Sequence, residues 1–262
     1  MKIKETQIHK TAIVHPKAQI AKGVSVGPYS VISENVCIDE NTKIGAFCYL
    51  EGDTVIGSNC QFFTGAVIGT IPQDKKFGNE DKVFLHIGEN NVFREYVTVN
   101  CGTGAGGKTV IGNNNLFMAY AHIAHDCVIG NDCVMANNGT LAGHVTLEDR
   151  AIVGGLTAIH QFVRLGYLSI VGGCSKVVQD IPPFATCDGH PARVYGLNTI
   201  GLKRAKKSKE TISILKKAFR ILFQSGLSRS NAIERIEQDV SSCPEIEHLV
   251  NFVKTSKRGL CS

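Results

Sequence analysis

The chain has no tryptophan, only 7 prolines and 3 methionines in 262 residues. Nor does it contain a run of about 18 apolar residues, so the sequence offers no membrane-spanning helix. Its start, "MKIKETQIHK", lacks the apolar stretch of a secretory signal, and a cytoplasmic location is expected. The 10 cysteines include no Cys-x-x-Cys pair. That excludes a zinc ribbon and, with no signal segment, favours free thiols over a disulfide framework. With 43% hydrophobic and 19% charged residues, the chain reads as one large soluble domain, alone or with a small appendage. What is abundant is glycine, 27 residues, which points to a turn-rich chain.

The abundance has a period. Residues 8, 14, 20, 26, 32, 38, 44, 50, 56, 62 and 68 are all Ile, Val, Leu or Phe, and two places before each stands only Thr, Ala, Val, Ser or Cys. The period stops at Gly69, before "TIPQDKKFGNEDKVF", and restarts at Ile87, Phe93 and Val99. After the glycine-rich "CGTGAGGK" it runs from Ile111 to Val177. Two loops, near 70–86 and 101–108, therefore interrupt one array. A strict period of six fits neither a 3.6-residue helix nor long strands. It fits short strands joined by corners, three sides making a coil of 18 residues, with coils stacked at the strand spacing of about 4.8 Å. The small residue fits the crowded inside, and Gly or Asn just after the large one suits the turn. Cys48, Cys60, Cys127 and Cys133 take that small position and read as core filler.

Near "DIPPFATCDGHPARVYG" the period ends, giving a β array over 1–195 and a helical domain over 196–262. From Gly196 onward there are 13 Lys and Arg against 6 Asp and Glu, so the whole positive balance lies in the tail. "SKETISILKKAFRILF" starts at a capping Ser208 and puts Ile212, Leu215, Phe219 and Leu222 on one face. "SNAIERIEQDV" and "CPEIEHLVNFV", the latter with Pro244 in its first turn, read as two further helices.

If residues 18 apart stack, His125 lies under Gly143 and Gln161, Asp126 under His144, and Ala124 under Ala142 and His160. One ridge, about 10 Å tall, then gathers His122, His125, Asp126, His144, His160 and Gln161. A histidine beside an aspartate is what a general base needs, and a glycine one coil above it can offer its N–H to an oxyanion. Acyl transfer uses both. Two alternatives stay open: a zinc-dependent hydrolase or carbonic-anhydrase-like protein of the same array, because four histidines stand on the ridge, and a scaffold without catalysis.

The array resembles that of the hexapeptide-repeat acyltransferases. In order and spacing, "IPQDKKFG", "AHIAHDC", "LAGHV", "AIHQFVRLG", "VGGCSKV" and "GLNTIGLKR" are similar to the UDP-N-acetylglucosamine O-acyltransferases of lipid A biosynthesis, over essentially the whole chain. The resemblance implies a left-handed parallel β-helix with a C-terminal helical domain. It also implies transfer of a 3-hydroxyacyl chain from acyl carrier protein to the 3-position of UDP-N-acetylglucosamine. His125 would be the base, Asp126 its orienting acid and Gly143 the oxyanion donor. His122, His144, His160 and Gln161, with Gln73, Asp74 and Lys76 from the first loop, would bind substrate, and Asn198 and Arg204 the nucleotide. Gly173 would set acyl-chain length, with room for a longer chain. Trimers with sites between subunits are implied, and no resident cofactor or metal, since the acyl chain arrives on the carrier's phosphopantetheine. Two positions depart from the pattern: Ile200 replaces an acid and Ala205 a second arginine. The basic cluster Lys203, Arg204, Lys206, Lys207 and Lys209, with Lys216, Lys217 and Arg220, would steer the acidic carrier protein. No motif for reading nucleic acid accompanies it.

Overall fold

The computed structural model describes residues 5–78 and 82–261. The first four residues, the last one, and residues 79–81 lie outside that description. With them go part of the amino-terminal stretch and part of the first loop discussed above. Most hexads make a strand of two residues, and successive strands fall on three faces in turn. Gln7–Ile8 opens the first face, Ile13–Val14 the second and Gln19–Ile20 the third. Among the described residues the faces hold 11, 9 and 8 strands. Coils pair in parallel, Gln7 with Ser25, His122 with Thr140 and Ala158 with Lys176, each a step of 18 residues. The molecule is a left-handed parallel β-helix of hexapeptide repeats carrying a C-terminal helical region.

The loops do not break the sheets. Gln61 pairs with Val92, a step of 31, and Val92 with Leu116, a step of 24, so each insertion is extruded and the next strand returns to its own face. Both leave at the corner between the second and third faces, after Val67–Thr70 and Thr98–Asn100. The same corner carries His125 two coils above the first loop and one above the second.

Inside, like stacks on like. Ile32, Leu50, Ile68, Val99, Ile123 and Leu141 form one buried column, and Phe62, Phe93 and Phe117 another, with ring centroids 4.7 and 4.9 Å apart. Each such side chain contributes about 1.5–3 kcal/mol on burial. The small positions hold Cys127 and Cys133, whose thiols donate to the carbonyls of Ala142 (3.3 Å) and Glu148 (3.2 Å) in the next coil. Burial pushes both thiols up to about 12. Cys48, Cys60, Cys101, Cys187 and Cys261 are buried as well. These seven thiols are expected to ignore a disulfide reagent at pH 8 in the folded protein and to react on unfolding. Peptide mass spectrometry after timed labelling checks this, and early modification of Cys127 would contradict it.

The corners differ from the sequence expectation. Glycine directly after the large residue serves close approach between coils, not the turn: a Cβ on Gly27 would lie 2.5 Å from the Gly45 carbonyl oxygen, and one on Gly154 2.6 Å from the Gly172 carbonyl carbon. The left-handed residue comes three places after the large one and is rarely glycine. Asn41, Asn59 and Asn138 take it, but so do Asp126 (φ 58°), His144 (59°) and Phe162 (64°). This conformation costs an ordinary L-residue about 1–2 kcal/mol. Hydrogen bonds between coils offset it, as where His144 N donates to His125 O at 3.0 Å and Phe162 N to Gly143 O at 3.1 Å.

After the last coil an antiparallel hairpin, Ala185–Gly189 with Ala192–Leu197, extends the first face. Strand gives way to helix only after Leu197. A short helix that the sequence pattern did not signal follows, α1 (Thr199–Arg204), capped by Asn198. Then come α2 (Lys209–Gln224), α3 (Arg229–Asp239) and α4 (Pro244–Thr255). Ser208 Oγ accepts from Thr211 N at 3.0 Å, and Ile212, Leu215, Ala218 and Phe219 form the buried side of α2. Among the described residues no helix is long and apolar enough to cross a membrane.

Candidate active site

The corner between the second and third faces projects residues outward from stacked coils. His125, Gly143 and Gln161 occupy one corner position in successive coils, and Asp126, His144 and Phe162 the next. The left-handed turn at Asp126 brings its carboxylate back toward its own neighbour, so Oδ2 lies 2.9 Å from His125 Nδ1. A carboxylate accepts, so Nδ1 carries the ring proton and Nε2 keeps its lone pair.

Asp126 is itself held from the second loop. Thr103 N donates to both carboxylate oxygens at 3.1 Å and Thr103 Oγ1 to Oδ2 at 2.6 Å, while Asp126 N donates to Thr109 Oγ1 at 2.9 Å. Burial opposes ionisation of this carboxyl, but the Thr103 hydroxyl, then His125 and the Thr103 amide outweigh it. The net effect is a pKa below the ordinary carboxylate value. Thr103 and Thr109 were not singled out in the sequence. Thr103 stands among the glycines of the "CGTG" loop, where no periodic spacing marks it.

Above the dyad Gly143 is buried, and a Cβ there would meet His125 Cε1 at 2.4 Å and Nε2 at 2.6 Å. The glycine backbone is therefore packed against the basic edge of the imidazole. Gly143 N makes no hydrogen bond among the described residues, whereas its carbonyl accepts from Phe162 N. A lone-pair nitrogen and a glycine whose N–H has no partner among the described residues thus stand side by side. His144 crosses the His125 ring edge-on at 5.2 Å and stacks on Phe162 at 4.6 Å.

His122 projects from the strand His122–Ile123 on the second face, its Nδ1 2.7 Å from Thr98 Oγ1. Burial, then the neighbouring His125, lower its pKa. His160 and Gln161 are exposed one coil above Gly143. Asp74 lies in the first loop, two coils below the dyad, where Oδ1 accepts from Lys76 N at 2.9 Å, while Gln73 and Lys76 are exposed.

Other sequence candidates stand elsewhere. Gly173 lies at the corner between the first and second faces, 3.1 Å from a Cβ position to the Gly155 carbonyl. Asn198 and Arg204 line a separate recess on the first face with Arg150, Leu168 and Ile200. Asn198 is buried and committed to structure: Oδ1 caps α1 through Gly201 N (2.8 Å), and Nδ2 donates to Leu168 O (2.8 Å). Of the basic cluster, Lys207 is bonded to Glu245 at 2.6 Å and Lys217 to the Asp239 carbonyl.

His125, Asp126 and His144 place three donor atoms within 4.8 Å of one another. Two of the three already have partners. The shared carboxylate already accepts from Thr103 and faces His125 Nδ1 at hydrogen-bond distance, and His122 turns its Nδ1 to Thr98.

A β-helix of hexads with a His–Asp pair under a glycine N–H defines a hexapeptide-repeat acyltransferase. Residues 108–143 match the bacterial transferase hexapeptide family, and 180–261 match the second domain of UDP-N-acetylglucosamine O-acyltransferase. An acyl-[acyl-carrier-protein]–UDP-N-acetylglucosamine O-acyltransferase of Myxococcus xanthus is 50% identical over 97% of this chain and 98% of its own. The crystal structure of a UDP-N-acetylglucosamine acyltransferase, LpxA, from Bacteroides fragilis superposes with a TM-score of 0.94, at 41% identity over 97% of this chain and 99% of that one. LpxA from Acinetobacter baumannii gives 0.93, at 39% identity over 97% and 99%. The chain belongs to the acyl-[acyl-carrier-protein]–UDP-N-acetylglucosamine O-acyltransferases.

Proposed function

We infer that this protein transfers a 3-hydroxyacyl chain from acyl carrier protein to the 3-hydroxyl of UDP-N-acetylglucosamine in the cytoplasm, in the step that opens lipid A synthesis. The observation that carries it is the joint placement of His125 Nε2 and Gly143 N–H. Nε2 takes the proton of the sugar hydroxyl as its oxygen bonds to the thioester carbon, and the carbonyl oxygen gathers charge at Gly143 N–H. Collapse breaks the carbon–sulfur bond, and the imidazolium returns the proton to the leaving thiolate. Asp126, ionised throughout, steadies the imidazolium. Transfer is direct: Cys127, next to the dyad in sequence, is buried in the core and held protonated by that burial, so it offers no acyl-enzyme. No metal or resident cofactor takes part.

His122, His144, His160 and Gln161 line the sugar site on this reading, with Gln73, Asp74 and Lys76 closing it from a loop. Gly173 leaves space for the chain end. Arg204 serves the diphosphate, and Asn198 fixes α1 beneath the nucleotide rather than spending its own side chain on it. Ile200 and Ala205 remove an acid and a cation from that recess.

These groups lie on different sides of one β-helix, so a single substrate reaches all of them only across two subunits. We take the assembly to be a trimer in which the first face of one subunit meets the second face of the next. The corner between those faces supports this. It exposes a ladder of apolar side chains, with Tyr29 stacked on Phe47 and Tyr96 on Tyr120, and Leu156 above.

Incubation with 3-hydroxyacyl carrier proteins of several lengths and with UDP-N-acetylglucosamine or its 3-amino analogue, read by mass spectrometry, is expected to yield one monoacylated product and free thiol. No product with any pair would refute the reading. Mixing inactive His125→Ala and Arg204→Ala subunits is expected to restore part of the activity, and no restoration would refute the shared site.

A further inference from the structure

The last described residues do not trail away from the fold. Ser256 Oγ donates to Asp180 Oδ2 at 2.7 Å, Asp180 N to Gly259 O at 2.8 Å, and Cys261 N to Asp180 O at 3.0 Å. Leu260 and Cys261 are buried, and Arg229 at the start of α3 donates to the Leu260 carbonyl at 3.3 Å. The segment is thus strapped across the top of the corner that carries the dyad. Gly259, at φ +77°, makes the turn that aims Arg258 at that corner.

The Arg258 side chain is pinned there. One Nη2 reaches both the Val178 carbonyl, at 3.3 Å, and His160 Nδ1, at 3.1 Å, while Nε is buried with no partner among the described residues. The same Nδ1 lies 3.2 Å from the carbonyl oxygen of Gln161. These two neighbours make opposite demands. A guanidinium only donates, so it requires a lone pair on Nδ1, whereas a carbonyl only accepts and requires a proton there. The permanently charged, nearer donor prevails, since a charge-assisted bond is about twice as strong as a neutral one.

We propose that Arg258 is a positioning residue for the active site: it fixes His160 as the tautomer protonated on Nε2, which turns the outer edge of that ring into a hydrogen-bond donor toward substrate. Nε2 of this exposed histidine makes no bond within the described residues and is free for that purpose. Removing the guanidinium lets Nδ1–H turn to the Gln161 carbonyl, and Nε2 becomes an acceptor. Loss of Arg258 therefore reverses the hydrogen-bonding sense of a ring that Arg258 merely touches. The inference rests on the reading that His160 lines the sugar site.

Nitrogen-15 spectra of histidine-labelled protein test the tautomer without reference to turnover. Wild type is expected to show His160 protonated on Nε2, and Arg258→Ala protonated on Nδ1. Kinetics test the consequence: Arg258→Ala is expected to raise KM for the sugar nucleotide about tenfold, the size of one hydrogen bond, with kcat little changed. In a His160→Ala background the same substitution is expected to cost nothing further. A wild-type Nδ1–H tautomer, or losses that multiply in the double variant, would overturn the proposal. Where Arg258→Ala fails to fold, Arg258→Lys serves: a donor-only cation must preserve the Nε2–H tautomer, and its loss in a folded Lys variant counts against the idea. Wild type inactive on every acyl donor would instead indict the function, leaving the spectra to judge the tautomer.

Discussion

Turnover of a His125→Ala variant is expected to fall about a thousandfold, within the range that a positioned general base supplies. Its melting temperature is expected to stay within a few degrees of wild type. The imidazole stands at a corner, not in the core columns, so its removal opens no internal cavity. The residual rate would come from Gly143 N–H and from substrate positioning, which survive the substitution. Asp126→Asn separates the two members of the dyad. It keeps the volume but loses the charge that stabilises the imidazolium, and a smaller kcat loss, about a hundredfold, is expected. The sign with pH follows from the carboxyl. Because its folded pKa lies below 3.8, its contribution to stability is complete above that value and is lost only as pH falls through the lowered one. Activity lost between pH 7 and pH 5 therefore does not arise from Asp126 taking up a proton. Single-turnover rates for both variants, measured beside their thermal unfolding, check these outcomes; a His125→Ala enzyme with more than a tenth of wild-type rate removes the base from this histidine.

Much of this arrangement was legible in the chain because a coil of 18 residues converts sequence distance into height. Where no loop intervenes, from His122 to Val177, counting by 18 puts Gly143 over His125 and His144 over Asp126, and the strand register agrees. Counting fails across the insertions. Thr103, which holds the carboxylate from within the second loop, is 23 residues from Asp126, and Thr109, which accepts from the Asp126 amide, is 17 away, one short of the coil spacing, so both stayed hidden. The conformation of the corners was hidden for another reason. Non-glycine residues with left-handed φ are costly in isolation, and only the stacked array makes Asp126, His144 and Phe162 tolerable there. In the tail, amphipathic spacing revealed α2, whereas α1 is six residues long and held by a side-chain cap, which leaves no periodic trace. Arg258 reaches His160 from 98 residues away, through a strap with no pattern at all.

Gly143→Ala is the second substitution with a large expected effect, and it tests a close contact instead of a functional group. The added methyl would sit 2.4–2.6 Å from His125 Cε1 and Nε2, far inside contact distance, so the ring must move. It has little room to do so. Nδ1 is tied to Asp126 at 2.9 Å, and His144, itself stacked on Phe162, stands perpendicular to the ring at 5.2 Å. Gly143 has no left-handed φ, so alanine brings no backbone penalty of its own and keeps the N–H. The loss then comes from tilting the base away from the oxyanion donor, a misplacement on the order of 1 Å that costs about a hundredfold in rate. Two controls make the attribution sharp. In a His125→Ala background the clash has no partner, so Gly143→Ala is expected to lower the remaining rate by less than threefold. If alanine instead acts by spoiling the N–H direction, the two losses multiply, because the oxyanion donor serves the residual reaction as well. Steady-state rates of the four proteins, wild type, both single variants and the double, decide whether this glycine is present for the space it leaves or for the bond it donates.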